Sequence, residues 1–147
     1  MNIIKAFDRA FYRKNQKNWE KIYVLVDLHD TVLTGLYSGE EKYLWYDDAL
    51  AALREMTERK DVCLILWTAS YPAKIREYQI KLAEHGIVFD FINENPEVRF
   101  TELFDGLGSG KLYFNVGIDD KFGFEPEFDW TRIYNYFKVM NDNDKAV

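Results

Sequence analysis

The chain has 147 residues, 48% of them hydrophobic and 17% aromatic, which describes a folded domain with a sizeable core and excludes a disordered chain. A formal charge of −6 excludes a broad basic field for a nucleic-acid backbone, although a bound metal can reverse the sign of a small site. Cys63 is the single cysteine, so no intramolecular disulfide or cysteine-rich zinc site can form, and within "VCLILW" it reads as a small core residue.

The first segment, "MNIIKAFDRAFYRKNQKNWE", scatters its charges and lacks the apolar stretch of a secretory signal. Ile4, Phe7 and Phe11 stand at helical spacing in it. No run is long enough to span a bilayer, so a cytosolic, cytoplasmic protein with no membrane partner is expected. Without repeats or low-complexity linkers, residues 1–147 read as one domain. It comprises a helical extension over 1–20, core motifs over 22–124 and a C-terminal helix over 126–140.

Residues 22–27 follow as a strand, and a helix is expected near 47–59, with Leu50, Leu53 and Met56 on one face. Asp47 and Asp48 suit the positive end of that helix. "DVCLILW" is apolar throughout, as a parallel strand covered on both faces should be. Ser70 and Pro72 are start signals for a helix that turns Ile75, Tyr78 and Leu82 inward and ends at Gly86. "IVFDFI" and "LYFNVGI" read as the third and fourth strands. Asp129 reads as the opening cap of the last helix, which carries Ile133, Tyr134, Phe137 and Met140 in register. Alternating strands and helices predict an α/β fold: a doubly wound, Rossmann-like three-layer sandwich with a mainly parallel sheet and helices on both faces.

Ligands of such sheets bind outside the carboxyl ends of the strands, and Asp27, Thr68, Asn93 and Asp119 all fall there. Alone, Asp27 is weak evidence, because aspartate often caps strand ends in turns. Together with Thr68, Lys111 and the pair Asp119–Asp120 it supplies a nucleophilic carboxylate, metal-holding carboxylates, a hydroxyl and an ammonium. That is the inventory of phosphoryl transfer.

In these residues the chain resembles the haloacid dehalogenase superfamily of aspartate-based phosphohydrolases, most closely its small bacterial and phage members. The likeness rests on "VDLHDT", "LWTAS", "FDFINENP" and "GKLYFNVGIDDK" and runs from about residue 22 to 124. It implies Asp27 as the nucleophile, Thr31 as the first-motif threonine, Thr68 in the second motif, Lys111 in the third, and Asp119 with Asp120 in the fourth. It further implies Mg2+ held by Asp27, the backbone carbonyl of His29, Asp119 and Asp120, and a phosphate held by Thr31, Thr68, Ala69, Ser70 and Lys111. Residues 32–46 and 71–110 leave no room for a cap domain, so an open site is expected.

The chain departs from the family pattern at three positions. His29 replaces the aspartate that usually serves as general acid and base, Asp30 stands where glycine is usual, and Ser70 where arginine is frequent. An imidazole, with an ordinary pKa of ~6.5 against ~3.9 for aspartate, can serve either as base or, protonated, as acid. The expected activity is therefore a magnesium-dependent phosphomonoesterase working through an aspartyl-phosphate, with His29 catalytic beside Asp27, Thr68 and Lys111. The rival is a silent metal- and phosphate-binding or regulatory module. A receiver domain fits worse, since its lysine should follow the last conserved strand.

An open site admits a phosphoprotein or a nucleic-acid end, or a small phosphomonoester enclosed by a second subunit of a homo-oligomer. The acidic surface tilts the expectation toward the small substrate. "GLGSGK" is no phosphate loop, because Leu112 follows its lysine and the lysine precedes a strand. Lys121 reads as a surface charge that could reach a substrate phosphate, His85 as a helix-end residue, and Trp45, Tyr46 and Tyr71 as core or rim residues that could stack on a substrate ring or meet another subunit.

Overall fold

Both faces of "IYVLV" are apolar, and the strand they form is accordingly central. In the computed structural model, which describes residues 2–34, 44–98 and 112–146, β1 (Ile22–Asp27) pairs in parallel with β2 (Val62–Trp67) on one side. β4 (Val116–Ile118) pairs with it in parallel on the other, and β3 (Phe91–Ile92) extends the sheet beyond β2. The order β3-β2-β1-β4, all parallel, is that of a doubly wound, Rossmann-like α/β fold. The sheet winds outward from β1 through β2 to β3, then reverses to place β4 on the far side. The switch point lies between β1 and β4, where Asp27 and the turn after Ile118 emerge.

The helices are α1 (Ile3–Lys17), α2 (Ala49–Thr57), α3 (Pro72–Glu84) and α4 (Pro126–Lys145). Ile22, Val24 and Val26 of β1 and Leu64 and Leu66 of β2 point into the larger apolar cluster. All four helices contribute to it, through Phe7, Leu53, Leu82, Trp130 and Phe137 among others. Tyr23, Leu25, Cys63 and Ile65 point the other way, into a smaller cluster covered by Val98, Leu112, Tyr113 and Phe114. Helices were expected on both faces. Among the described residues they lie on one, and Phe91, Val98, Leu112, Tyr113 and Phe114 pack against the other. Burial pushes the Cys63 thiol up to about 12, so it is an inert core group.

Several elements are shorter or differently capped than the pattern suggests. Of "IVFDFI" only Phe91–Ile92 is strand, and of "LYFNVGI" only Val116–Ile118. Two polar side chains intervene: the Asp90 carboxylate accepts the Leu64 N–H at 2.8 Å, and Asn115 Oδ1 accepts the Tyr23 N–H at 2.7 Å. Each takes a donor that a longer strand would have paired through its backbone. Helix α2 begins only at Ala49, and its N-cap residue Asp48 makes no side-chain capping bond; its carboxylate instead accepts from the Thr131 hydroxyl at 2.6 Å.

Ser70 does not cap α3. Tyr71 does, with Pro72 in the first helical turn, where a missing N–H costs nothing. Gly86, at φ 76°, does end α3, as expected. Helix α4 opens at Pro126 rather than at Asp129. From inside the helix the buried Asp129 carboxylate accepts the Glu125 N–H at 2.9 Å. No described helix is long and apolar enough to cross a membrane.

Candidate functional site

The stretch "DLHDT" leaves β1 and folds back at once. Thr31, Val32 and Leu33 donate their N–H groups to the Leu28 carbonyl, and Asp30 donates to that of Leu33. Asp30 has φ 61°, the left-handed region that glycine enters freely and that aspartate tolerates better than most residues. An aspartate can therefore hold this turn without a glycine. The turn buries Thr31 completely.

From there Thr31 ties the two halves of the site together. Its hydroxyl lies 2.9 Å from Oδ2 of Asp27 and 3.2 Å from Oδ1 of Asp120, and it accepts the Asp120 N–H at 3.1 Å. Its carbonyl accepts a 2.6 Å bond from Nε1 of the buried Trp130 on α4. Asp120 opens a 3-10 turn, Asp120–Phe122, whose N-cap Asp119 accepts the Lys121 N–H at 2.9 Å.

Carboxylate oxygens of Asp27, Asp119 and Asp120 thus lie within 4.8 Å of one another. Burial pushes Asp27 up to about 6; the Thr31 hydroxyl opposes that rise and the Asp119 charge adds to it. Asp119 is likewise raised, chiefly by burial, with the Lys121 N–H opposing and Asp120 adding. Three hard oxygen donors crowded against their own repulsion fit a small dication such as Mg2+, whose charge would offset that repulsion.

Beside the triad, Asp27, His29, Asp30, Thr68, Ala69, Ser70, Asp120 and Lys121 line a cavity of about 270 Å3. Thr68 follows β2, and its main chain is gripped by Asn93: Oδ1 of Asn93 accepts the Thr68 N–H, and Nδ2 donates to the Thr68 carbonyl. The Thr68 and Ser70 hydroxyls are 2.9 Å apart, and the Ser70 N–H points at Thr68 Oγ1 at 3.2 Å. His29 is half-buried, with Nε2 3.0 Å from the Tyr78 hydroxyl. A larger cavity, about 520 Å3, opens at the opposite end of β1 beside Trp19, Tyr23 and Tyr113, where Lys21 and Glu97 pair with each other at 3.0 Å. The titratable crowding lies at the smaller one.

The fold therefore gathers Asp27, His29, Thr31, Thr68, Ala69, Ser70, Asp119 and Asp120 at one end of the sheet. Lys111 lies outside the described residues. The sequence does not assign Asp30 as a wall of the cavity, Tyr78 as the partner of His29 or Trp130 as the anchor of Thr31, and Lys121, read as a surface charge within reach of a substrate phosphate, lines the cavity. Only Lys121 carried a signal, through its place in "IDDK".

No protein-family model matches the chain, and no curated protein matches it. Among solved structures, one described as a conserved protein from Bacteroides thetaiotaomicron is similar to this chain with a TM-score of 0.60 and 24% identity. The match covers 82% of this chain and 92% of the other. That likeness bears on the fold.

Proposed function

We propose that the chain is a magnesium-dependent phosphohydrolase of the haloacid dehalogenase type, acting on a phosphomonoester through an aspartyl-phosphate. The observation that carries this reading is the meeting of Asp27, Asp119 and Asp120 within 4.8 Å, beside a cavity walled by Thr68 and Ser70. Carboxylates alone would repel a phosphate. Asp27, Asp119 and Asp120 would hold a Mg2+ ion, which would supply the positive charge needed to admit and screen an anion.

The chain's own residues do the rest. Asp27 attacks phosphorus, forming a new O–P bond as the ester O–P bond breaks. Thr68 and Ser70, with the backbone around Ala69, hydrogen-bond the phosphoryl oxygens, and the Lys121 ammonium adds charge at the cavity wall. His29 gives a proton to the departing oxygen and then takes one from the water that hydrolyses the aspartyl-phosphate. A cavity of about 270 Å3 suits a phosphoryl group with a small alcohol, in keeping with a cytoplasmic enzyme of phosphorylated small molecules.

The test is turnover of an aryl phosphate with and without Mg2+ for wild type, Asp27→Asn and His29→Asp. Magnesium-dependent wild-type turnover that disappears in Asp27→Asn supports the reading. Activity that appears only after His29→Asp overturns it in favour of a silenced binding module.

A further inference from the structure

The imidazole of His29 makes one hydrogen bond among the described residues, and it goes to Tyr78, 49 positions along the chain. We propose that Tyr78 is a positioning residue: its hydroxyl oxygen accepts the Nε2–H of His29 and fixes the ring so that Nδ1 is the nitrogen that exchanges protons with the substrate. This inference rests on the phosphohydrolase reading and specifies how a histidine works in it.

The geometry of the pair is set from both sides. His29 sits in the turn that is bonded back onto Leu28 and Leu33, so its backbone has little freedom. Tyr78 lies on α3 between the buried Ile75 and Leu82 and is itself packed against the main core. The two rings meet edge to face, with centroids 5.4 Å apart and planes at 80°. The Nε2 to hydroxyl distance is 3.0 Å. A side chain held by one nitrogen and lining the cavity has a single polar atom left to offer, and that atom is Nδ1.

The tautomer follows from the chemistry required. If Nδ1 is to give a proton in one half-reaction and take one in the next, Nε2 must keep its own proton throughout. It therefore needs an acceptor. A tyrosine hydroxyl can accept through its lone pairs while its own hydrogen rotates elsewhere. A carboxylate needs no such partner, since its two oxygens are equivalent. Replacing aspartate by histidine at position 29 creates the need for an orienting group, and Tyr78 meets it as the third member of nucleophile–base–orienter sites does.

The experiment combines a spectroscopic and a kinetic arm on the full chain. With only two histidines, His29 and His85, imidazole nitrogen resonances can be assigned by comparison with His85→Gln. At pH 9 without Mg2+, wild-type His29 is expected to show a protonated Nε2 and a bare Nδ1, with an Nε2–H signal protected from solvent exchange. In Tyr78→Phe, which keeps the ring and its packing, that protection is lost. On an aryl phosphate with Mg2+, Tyr78→Phe is expected to lower kcat by roughly 10- to 100-fold with KM little changed. In a His29→Ala background the same change should do almost nothing.

A protonated Nδ1 in wild type overturns the proposal, as does a Tyr78→Phe enzyme that matches wild type in kcat. An equal loss from Tyr78→Phe with and without His29 also overturns it, since it would mark a packing role. Wild type without any Asp27-dependent turnover overturns the phosphohydrolase reading, and this inference with it. Turnover that is Asp27-dependent but indifferent to Tyr78 overturns this inference alone.

Discussion

Asn93 and Thr68 exchange two hydrogen bonds: the Asn93 side-chain oxygen accepts the Thr68 N–H at 2.8 Å, and its amide nitrogen donates to the Thr68 carbonyl at 2.7 Å. A side-chain amide thus does for the end of β2 what a neighbouring strand would do, just where β3 stops. Asn93 itself takes φ 55°, a left-handed conformation that asparagine tolerates. The pair fixes the backbone that carries the Thr68 hydroxyl into the cavity.

Asn93→Ala removes both bonds, and Asn93→Asp loses the donor while adding a negative charge near the anion. Each net bond contributes about 1 kcal/mol. The expected result is a loss of roughly tenfold or more in kcat/KM on an aryl phosphate, larger for Asp than for Ala, together with a loss of about 2 kcal/mol in denaturant unfolding for Ala. Wild-type kinetics in Asn93→Ala would show that the Thr68 loop holds its shape without the clamp.

Asn93 could be placed at the strand ends from sequence because a parallel sheet delivers its chain there, and so could Asp27, Thr68 and Asp119. That inference needs only strand order and period. What Asn93 does there could not be read, because its partner is backbone 25 residues away. The same holds for Tyr78. Its spacing with Ile75 and Leu82 marks it correctly as inward, and nothing in that spacing says that its hydroxyl meets His29. Ser70 misled because serine before proline is a strong helix-start signal. Pro72 moved the cap to Tyr71 and left the Ser70 hydroxyl to pair with Thr68. The lengths of β3 and β4 misled because Asp90 and Asn115 bond as side chains where apolar runs promised backbone pairing.

Thr31 holds together two carboxylates and a backbone N–H with one hydroxyl, in a position with no exposure. Thr31→Val keeps the shape and leaves the Asp120 N–H without its acceptor. Such a loss costs ~1–3 kcal/mol. Denaturant unfolding should show a destabilisation in that range, and titration calorimetry should show weaker Mg2+ binding. Thr31→Ser, which keeps the hydroxyl, should lose less of both. Equal affinity in Thr31→Val and wild type would mean that the triad needs no internal tie.

Asp27 is lifted from 3.8 to about 6 by burial first, with the Thr31 hydroxyl opposing and Asp119 contributing repulsion. Between those two values the metal-free folded chain binds more protons than the unfolded chain, so this group makes stability fall as pH rises from about 4 to 6. A cation competes with that proton. The Mg2+-induced rise in thermal midpoint should therefore be small at pH 5 and grow toward pH 7. Asp27→Asn removes the charge, so its metal-free midpoint should rise relative to wild type at pH 7 and its response to Mg2+ should shrink. A magnesium shift of equal size at pH 5 and pH 7 would contradict the assigned competition.

Trp130 joins core to site in one side chain. Its indole is fully buried on α4, meets Phe124 edge to face with centroids 5.0 Å apart, and donates to the Thr31 carbonyl at 2.6 Å. Because Thr31 in turn bridges Asp27 and Asp120, loosening the indole should be felt at the carboxylates as well as in the core. Trp130→Phe removes the donor and leaves a void that neighbours fill only partly. The expected destabilisation is ~2–3 kcal/mol from the lost bond and packing together. A stability defect alone would mark Trp130 as core. The coupled expectation is sharper: at a temperature where the variant stays folded, its Mg2+ affinity should fall as well, and a second change, Thr31→Val, should reduce affinity by less in that background than in wild type. Full additivity of the two losses would mean that α4 and the metal-holding turn are energetically separate.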